Sequence, residues 1–269
     1  MRTIVNIGWA AWLGLVVLAG CQEPEKPLSD FQKKLHQAAG GDIPAQISVG
    51  MCYYSGEGVA KDTAEAVRWF RKAAEQGDAV AQFYLGVCFD YGIGVKENDP
   101  EAVRWYRKAA EQGHMEAQYN LGVCYHEGSG VRQSDTEAVV WIRKAAEQGW
   151  AEAQNNLGVC YDNRIGVEKD DVEAARWYRK AADQGNAVAL YNMGKSYERG
   201  SGVPQSAEDA ARFYQAAAEM GHVKSQYAFG MCCLQGTGIA CDTEAAEDWL
   251  TRAAEQGFEP AKIALENLK

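Results

Sequence analysis

Cysteine and histidine are the residue types in this chain best suited to chemistry, and their spacing decides what that chemistry can be. Of eight cysteines, Cys52, Cys88, Cys124 and Cys160 follow one another every 36 residues, and Cys232 stands two periods further on with Ser196 in the gap. A disulfide framework is the first reading of so many cysteines, but one thiol per period does not pair neatly. Cys233 and Cys241 differ, because they flank the loop from Gly236 to Ile239 and either close it as a bridge or stand free; as metal ligands they lack two partners. The four histidines, His36, His114, His126 and His222, show neither H-x-x-x-H nor H-E-x-x-H spacing. Carboxylates such as Glu65 and Glu101 recur where helix starts want them. G-x-S-x-G, P-loop and dinucleotide fingerprints do not occur, so no catalytic residue, metal or cofactor is expected.

The elements that carry these residues are one unit written six times. Besides the thiols, Gly50, Gly86, Gly122, Gly158, Gly194 and Gly230 keep the period, as do Trp69, Trp105, Trp141, Trp177, Phe213 and Trp249. A fixed period of this length means stacked supersecondary units. Each unit reads as two helices. Ala81, Leu85, Cys88 and Phe89 share one face of a 3.6-residue repeat, and Gly92-Ile93-Gly94-Val95 ends it. The second helix starts at an N-cap column of Asp62, Asn98, Ser134, Asp170, Ser206 and Asp242. Glu65, Glu101, Glu137 and Glu173 follow three residues later in the first four units, which predicts capping boxes. That helix stops at Gly77 and its equivalents, suited to a left-handed turn. Phe31 to Gly41 reads as a degraded second helix and Glu259 to Lys269 as a final first helix, capping the stack.

Residues 1–20 are of another kind. Arg2 precedes an apolar and neutral run from Ile4 to Gly20 without an acidic residue, about the minimum length to span a bilayer, ending in small residues as a cleavage site does. Leu18-Ala19-Gly20-Cys21 resembles the bacterial lipobox, which implies an acylated Cys21 as the first mature residue and a chain anchored to a membrane without crossing it. Gln22 follows the cysteine, which favours the outer membrane, periplasmic face. Residues 21–30, with Pro24 and Pro27, then form a tether, and 31–269 the repeat body, with full repeats over about 45–260. The chain's net charge is −10, with 27 basic and 37 acidic residues, which argues against nucleic-acid partners. Its 28 glycines, 6 prolines and 47% hydrophobic content suit a folded, soluble body.

The pattern A-x-x-x-L-G-x-x-Y-x-x-G-x-G-V of Ala117 to Val131, followed by the W-Y-R-K-A-A run of Trp177 to Ala182, resembles the Sel1-like repeat, a relative of the tetratricopeptide repeat. The resemblance covers nearly all of the chain after the tether. It implies an all-α, right-handed α-solenoid of antiparallel helix pairs, six 36-residue repeats with partial capping helices, acting as scaffold or adaptor. It also implies that the Trp column packs in the core. Some secreted, cysteine-rich members of the family have been assigned β-lactam binding or hydrolysis, which is the alternative function. Those members carry two bridging cysteines in most repeats where this chain carries one, and S-x-x-K, S-D-N and K-T-G motifs are absent here. Ser196, Phe213 and Arg164 depart from their columns, Arg164 standing where Gly56, Gly92 and Gly128 do.

With Leu85 at the centre of the buried face, Phe83, Val87 and Asp90 lie about 140–200° away, on the face that lines the concave surface of related solenoids. The corresponding columns include Tyr119, Val123 and His126, then Val159, then Tyr191 and Lys195, then Tyr227 and Met231. So apolar an outward face admits two readings: a groove with an acidic edge that takes an envelope protein or peptide of basic character, or columns buried between units by superhelical curvature. Asn120, Asn156 and Asn192 form a flanking column that bonds either backbone or a partner. First helices of neighbouring units should lie about 8–10 Å apart, beyond disulfide reach, so Cys52, Cys88, Cys124, Cys160 and Cys232 read as buried free thiols.

Overall fold

The computed structural model describes residues 28–268. The leader, Cys21 and the tether up to Pro27 lie outside the described residues. Among the described residues there are fourteen helices and no strand. α1 (Asp30–Ala39) precedes six pairs: α2 (Ile43–Ser55) with α3 (Thr63–Glu75), α4 (Ala79–Asp90) with α5 (Asp99–Glu111), and α6 (Met115–Glu127) with α7 (Asp135–Glu147). Then come α8 (Ala151–Asn163) with α9 (Asp171–Ala182), α10 (Ala187–Arg199) with α11 (Ala207–Glu219), and α12 (Val223–Gln235) with α13 (Thr243–Glu255), before α14 (Glu259–Glu266). Each helix packs chiefly on its neighbours in sequence, which is the construction of a solenoid. No described helix is long and apolar enough to cross a membrane.

The predicted N-caps hold at all six second helices, with Asp62, Asn98, Ser134, Asp170, Ser206 and Asp242 each accepting from a backbone N–H in the first turn. The capping boxes do not form there. A box needs the third helical residue to accept from the N–H of the cap, but the preceding helix has already taken that donor: Asp62 N donates to Tyr53 O at 2.9 Å, Asn98 N to Phe89 O at 2.8 Å and Ser134 N to Tyr125 O at 2.8 Å. Glu65, Glu101 and Glu173 instead pair with Arg68, Arg104 and Arg176 one turn on. The reciprocal box occurs at α1, between Ser29 and Gln32.

Two glycine columns set how closely the helices pack, one within each unit and one between units. A Cβ on Gly86 would stand 2.6 Å from the Tyr106 ring, and the same collision recurs between Gly50 and Phe70 and between Gly158 and Tyr178, so bare backbone lets α4 lie flat on the aromatic side of α5. A Cβ on Gly130 would strike the Asp99 backbone at the start of α5, so the loop of one repeat seats directly on the previous repeat. Arg164 is the one described non-glycine residue with positive φ, at 60°, because it occupies the left-handed C-cap that glycine takes in its column.

Leu85, Leu121 and Leu157 are fully buried, and the Trp column packs in the core from Trp69 to Trp177, bridging each repeat to the one before it. The indole faces also carry cations: Lys72, Lys108, Lys144 and Lys180 sit 3.9, 4.2, 3.7 and 3.8 Å from the Trp69, Trp105, Trp141 and Trp177 ring centroids. At the ends, Phe31 and Leu35 of α1 cover the first core, while Phe258 and Leu265 cover the last.

A polar ladder joins the repeats beside this core. Gln82 Nε2 donates to Ala74 O and Gln112 Nε2 to Gln82 Oε1 at 2.8 Å; Gln46–Gln76, Gln118–Gln148, Gln154–Gln184 and Gln226–Gln256 repeat the pair. The fifth repeat substitutes both members at once, with Leu190 and Met220.

Candidate partner-binding face

First helices present the outward columns, and most of their side chains are half-buried; among the three columns only Asn155 is fully buried. Stacking therefore packs these side chains against the neighbouring unit without closing them off. Successive first helices then share cavities. Phe83 and Val87 join Met51 and Tyr54 around one of about 200 Å³, and Val123, His126 and Val159 line another of about 140 Å³ floored by Ile142. Tyr191, Lys195, Tyr227 and Met231 line a third of about 520 Å³. Tyr119 lies outside all three, its hydroxyl accepting from Asn156 Nδ2 at 2.8 Å. The flanking asparagines thus serve the stack: Asn192 Nδ2 donates to Asn155 Oδ1 at 2.9 Å, one repeat back.

The acidic edge is spent internally. Tyr106 donates to Asp90 at 2.9 Å and Tyr214 to Glu198 at 3.0 Å, while Asp162 lies near the Tyr178 hydroxyl. Carboxylates stand in this column only where the second helix offers a tyrosine hydroxyl. Where it offers Phe70, Ile142 or Leu250, the column holds Tyr54, His126 or Leu234. The two smaller cavities fall at the first two of these exceptions. Burial raises the Asp90 carboxyl above its ordinary range, against the lowering effect of the Tyr106 hydrogen bond. Another set of tyrosines accepts from arginine, with Arg107, Arg143 and Arg179 bonding Tyr125, Tyr161 and Tyr197 at 2.6, 2.9 and 2.7 Å.

The seven described thiols are free. Cys52, Cys88, Cys124 and Cys160 are buried and Cys232 is half-buried. Burial pushes Cys88 and Cys124 up to about 12 and Cys160 and Cys232 to about 11, so these groups stay protonated and inert at neutral pH. The Cys233–Cys241 bridge is not formed. Cys233 is turned into the core with Tyr214 and Phe229, whereas Cys241 is exposed and its Sγ donates to Leu234 O at 3.3 Å, so the side chains diverge although their backbones meet at the Asp242 N to Cys233 O bond.

His114 and His222 stand at N-cap positions, and of the two only His114 caps with its ring. His114 Nδ1 accepts from Ala117 N and its ring stacks on Phe83 at 4.7 Å, while His222 bonds Ser225 and lies 5.1 Å from the Tyr191 ring. Burial lowers both imidazoles below their ordinary pKa. No cluster of three or more metal-ligating side chains occurs among the described residues.

The 36-residue helix pair with these glycine and tryptophan columns agrees with known proteins. The Sel1 repeat model matches residues 43–78, 79–114, 116–150, 151–186, 187–222 and 223–258. The chain belongs to the Sel1 repeat family. It is similar to the crystal structure of a protective antigen of uropathogenic Escherichia coli strains displaying an SLR fold, with 37% identity and a TM-score of 0.86 over 88% of this chain; the chain spans 51% of that protein's length. It is also similar to a Sel1 repeat protein from Oxalobacter formigenes, with 36% identity and a TM-score of 0.75, over 83% of this chain and 90% of the other. No curated protein matches it. Sel1 repeat proteins are in general protein-interaction scaffolds, and nothing in these likenesses supports β-lactam chemistry.

Within this Sel1 array one feature escapes a reading by columns of apolar residues. Lys195 replaces the Met51, Val87, Val123, Val159 and Met231 of its column, and Arg199 and Lys224 join it at the third cavity. The signal lay in comparing each column along the array: Arg199 aligns with Ser55, Tyr91, Glu127, Asn163 and Gln235, and Lys224 with Pro44, Val80, Glu116, Glu152 and Val188.

Proposed function

We propose that this Sel1 repeat chain is a non-catalytic adaptor that holds an envelope protein or peptide along the face of its first helices. The observation that carries the proposal is the row of half-buried apolar side chains, shared between successive first helices as open cavities. Side chains committed to the core leave no such spaces, and side chains meant only for solvent would be polar. The lipobox-like Leu18-Ala19-Gly20-Cys21 supports export and acylation, with the outer membrane, periplasmic face, as the favoured site. A basic character of the partner draws less support, since tyrosines already bond two of the three carboxylates of the acidic edge.

The test places lysine at Val123 and Val159 together. Lys195 shows that this column accepts lysine, so Val123→Lys/Val159→Lys keeps the fold while charging the centre of the face. Envelopes are gently solubilised, and proteins captured by each form are identified by mass spectrometry. A partner held by wild type and lost by the folded double variant is the expected result; equal capture by both forms contradicts the proposal.

A further inference from the structure

The third cavity, between the fifth and sixth repeats, gathers three cations on the first-helix face. In a chain of net charge −10, Lys195, Arg199 and Lys224 converge on one space of about 520 Å³ whose lining holds one carboxylate, Glu198, which already accepts from Tyr214; Asp162 faces Lys195 and Arg199 across an adjoining pocket. Among the described residues none of the three cations is in an ion pair. Two of them stand against their local energetics. Lys195 is half-buried where the other repeats carry apolar side chains, and its ammonium lies 5.5 Å from the Tyr191 ring centroid. Lys224 sits in the first turn of α12, the end of a helix that disfavours cations, where the third and fourth repeats carry Glu116 and Glu152. Local choices that conflict with local stability mark functional positions. The remaining wall is aromatic and aliphatic, from Tyr227, Met231 and Phe258.

We propose that this cavity binds an acidic peptide segment of the partner, an Asp or Glu carboxylate entering among Lys195, Arg199 and Lys224 while a neighbouring apolar side chain packs on Tyr227 and Met231. The size suits one or two side chains rather than a folded surface. Charge complementarity selects the segment: a carboxylate gains partners that the protein leaves unused, a neutral amide gains fewer, and a lysine is repelled. The inference rests on the adaptor reading and adds the chemistry of what is held.

The full chain is immobilised and a phage-displayed random dodecapeptide library is selected on it, in parallel with Lys195→Met/Lys224→Glu. Both replacements copy residues that other repeats carry in the same columns, and circular dichroism checks that helix content is kept. Wild type is expected to enrich Asp and Glu at least about threefold beside an apolar residue, and the variant is not. A synthetic winner should lose about tenfold or more in affinity on changing its Glu to Gln, on introducing the two protein substitutions, and on raising salt from 50 mM to 500 mM. No selection, selection without acidic enrichment, or the same winners from the variant would overturn the proposal. A partner that Lys195→Met/Lys224→Glu still captures, but Val123→Lys/Val159→Lys does not, would remove the acidic-segment site and leave the adaptor reading standing.

Discussion

At the scale of residues, carboxylates at the edge of an apolar groove invite a basic ligand, yet Asp90 and Glu198 each accept from a tyrosine hydroxyl of the paired helix, and Asp162 lies near a third. That pairing joins positions sixteen residues apart and becomes legible only when each edge residue is compared with its partner on the second helix. Tyr106→Phe should therefore destabilise the protein by about 1–2 kcal/mol in chemical denaturation, by leaving the half-buried Asp90 without its donor. Arg164→Gly should act oppositely, adding about 1 kcal/mol, because glycine enters the left-handed region without the Cβ penalty. The thiols follow burial rather than count. Native alkylation with iodoacetamide should label Cys241 readily and leave Cys88, Cys124 and Cys160 unmodified until the chain is unfolded, as read by peptide mass spectrometry.

At the scale of elements, helices, their caps and the buried Leu column were legible because each depends on residues three or four apart, repeated along the array, while the core role of the Trp column came from the family resemblance. The capping boxes were not, because their failure depends on a donor claimed by another helix, as Asp62 N is by Tyr53 O. The glutamine ladder likewise links residues thirty apart. Gln112→Met alone should cost about 1–2 kcal/mol by stripping buried Gln82 of a partner, whereas Gln82→Leu/Gln112→Met should recover most of that loss, since the fifth repeat already carries Leu190 and Met220; a double-mutant cycle measures the coupling. The histidines at these two N-cap positions add a pH dependence. Burial lowers His114, opposed by Glu116 and Asp78, and burial also lowers His222, aided by Lys224. A lowered imidazole favours the neutral form in the fold, so its contribution is complete above about pH 6.5 and is lost as pH falls from there toward the folded pKa. Melting temperature should thus drop between pH 7.5 and 5.5, and less so in His114→Asn/His222→Asn, which copies the Asn186 cap of the fifth repeat.

At the scale of the whole molecule, the stack is a one-dimensional chain of contacts whose function depends on what successive units place side by side. The period and the family were readable from the columns; the cavities were not, because they need the spacing between first helices and the degree of curvature. Half-burial along the face resolves the choice between groove and packed column into both at once: Phe83 and Val87 pack against the neighbouring core and still line an open space. The most direct test of the adaptor reading is site-specific photo-crosslinking in cells. A photoreactive amino acid is placed at Val123 or Val159 on the first-helix face, and at the exposed Arg104 or Arg176 on the second helices. Crosslinks to one common protein from Val123 and Val159, with none to it from Arg104 and Arg176, are the predicted result. The same protein crosslinked from all four positions, or from the second helices alone, would contradict the account.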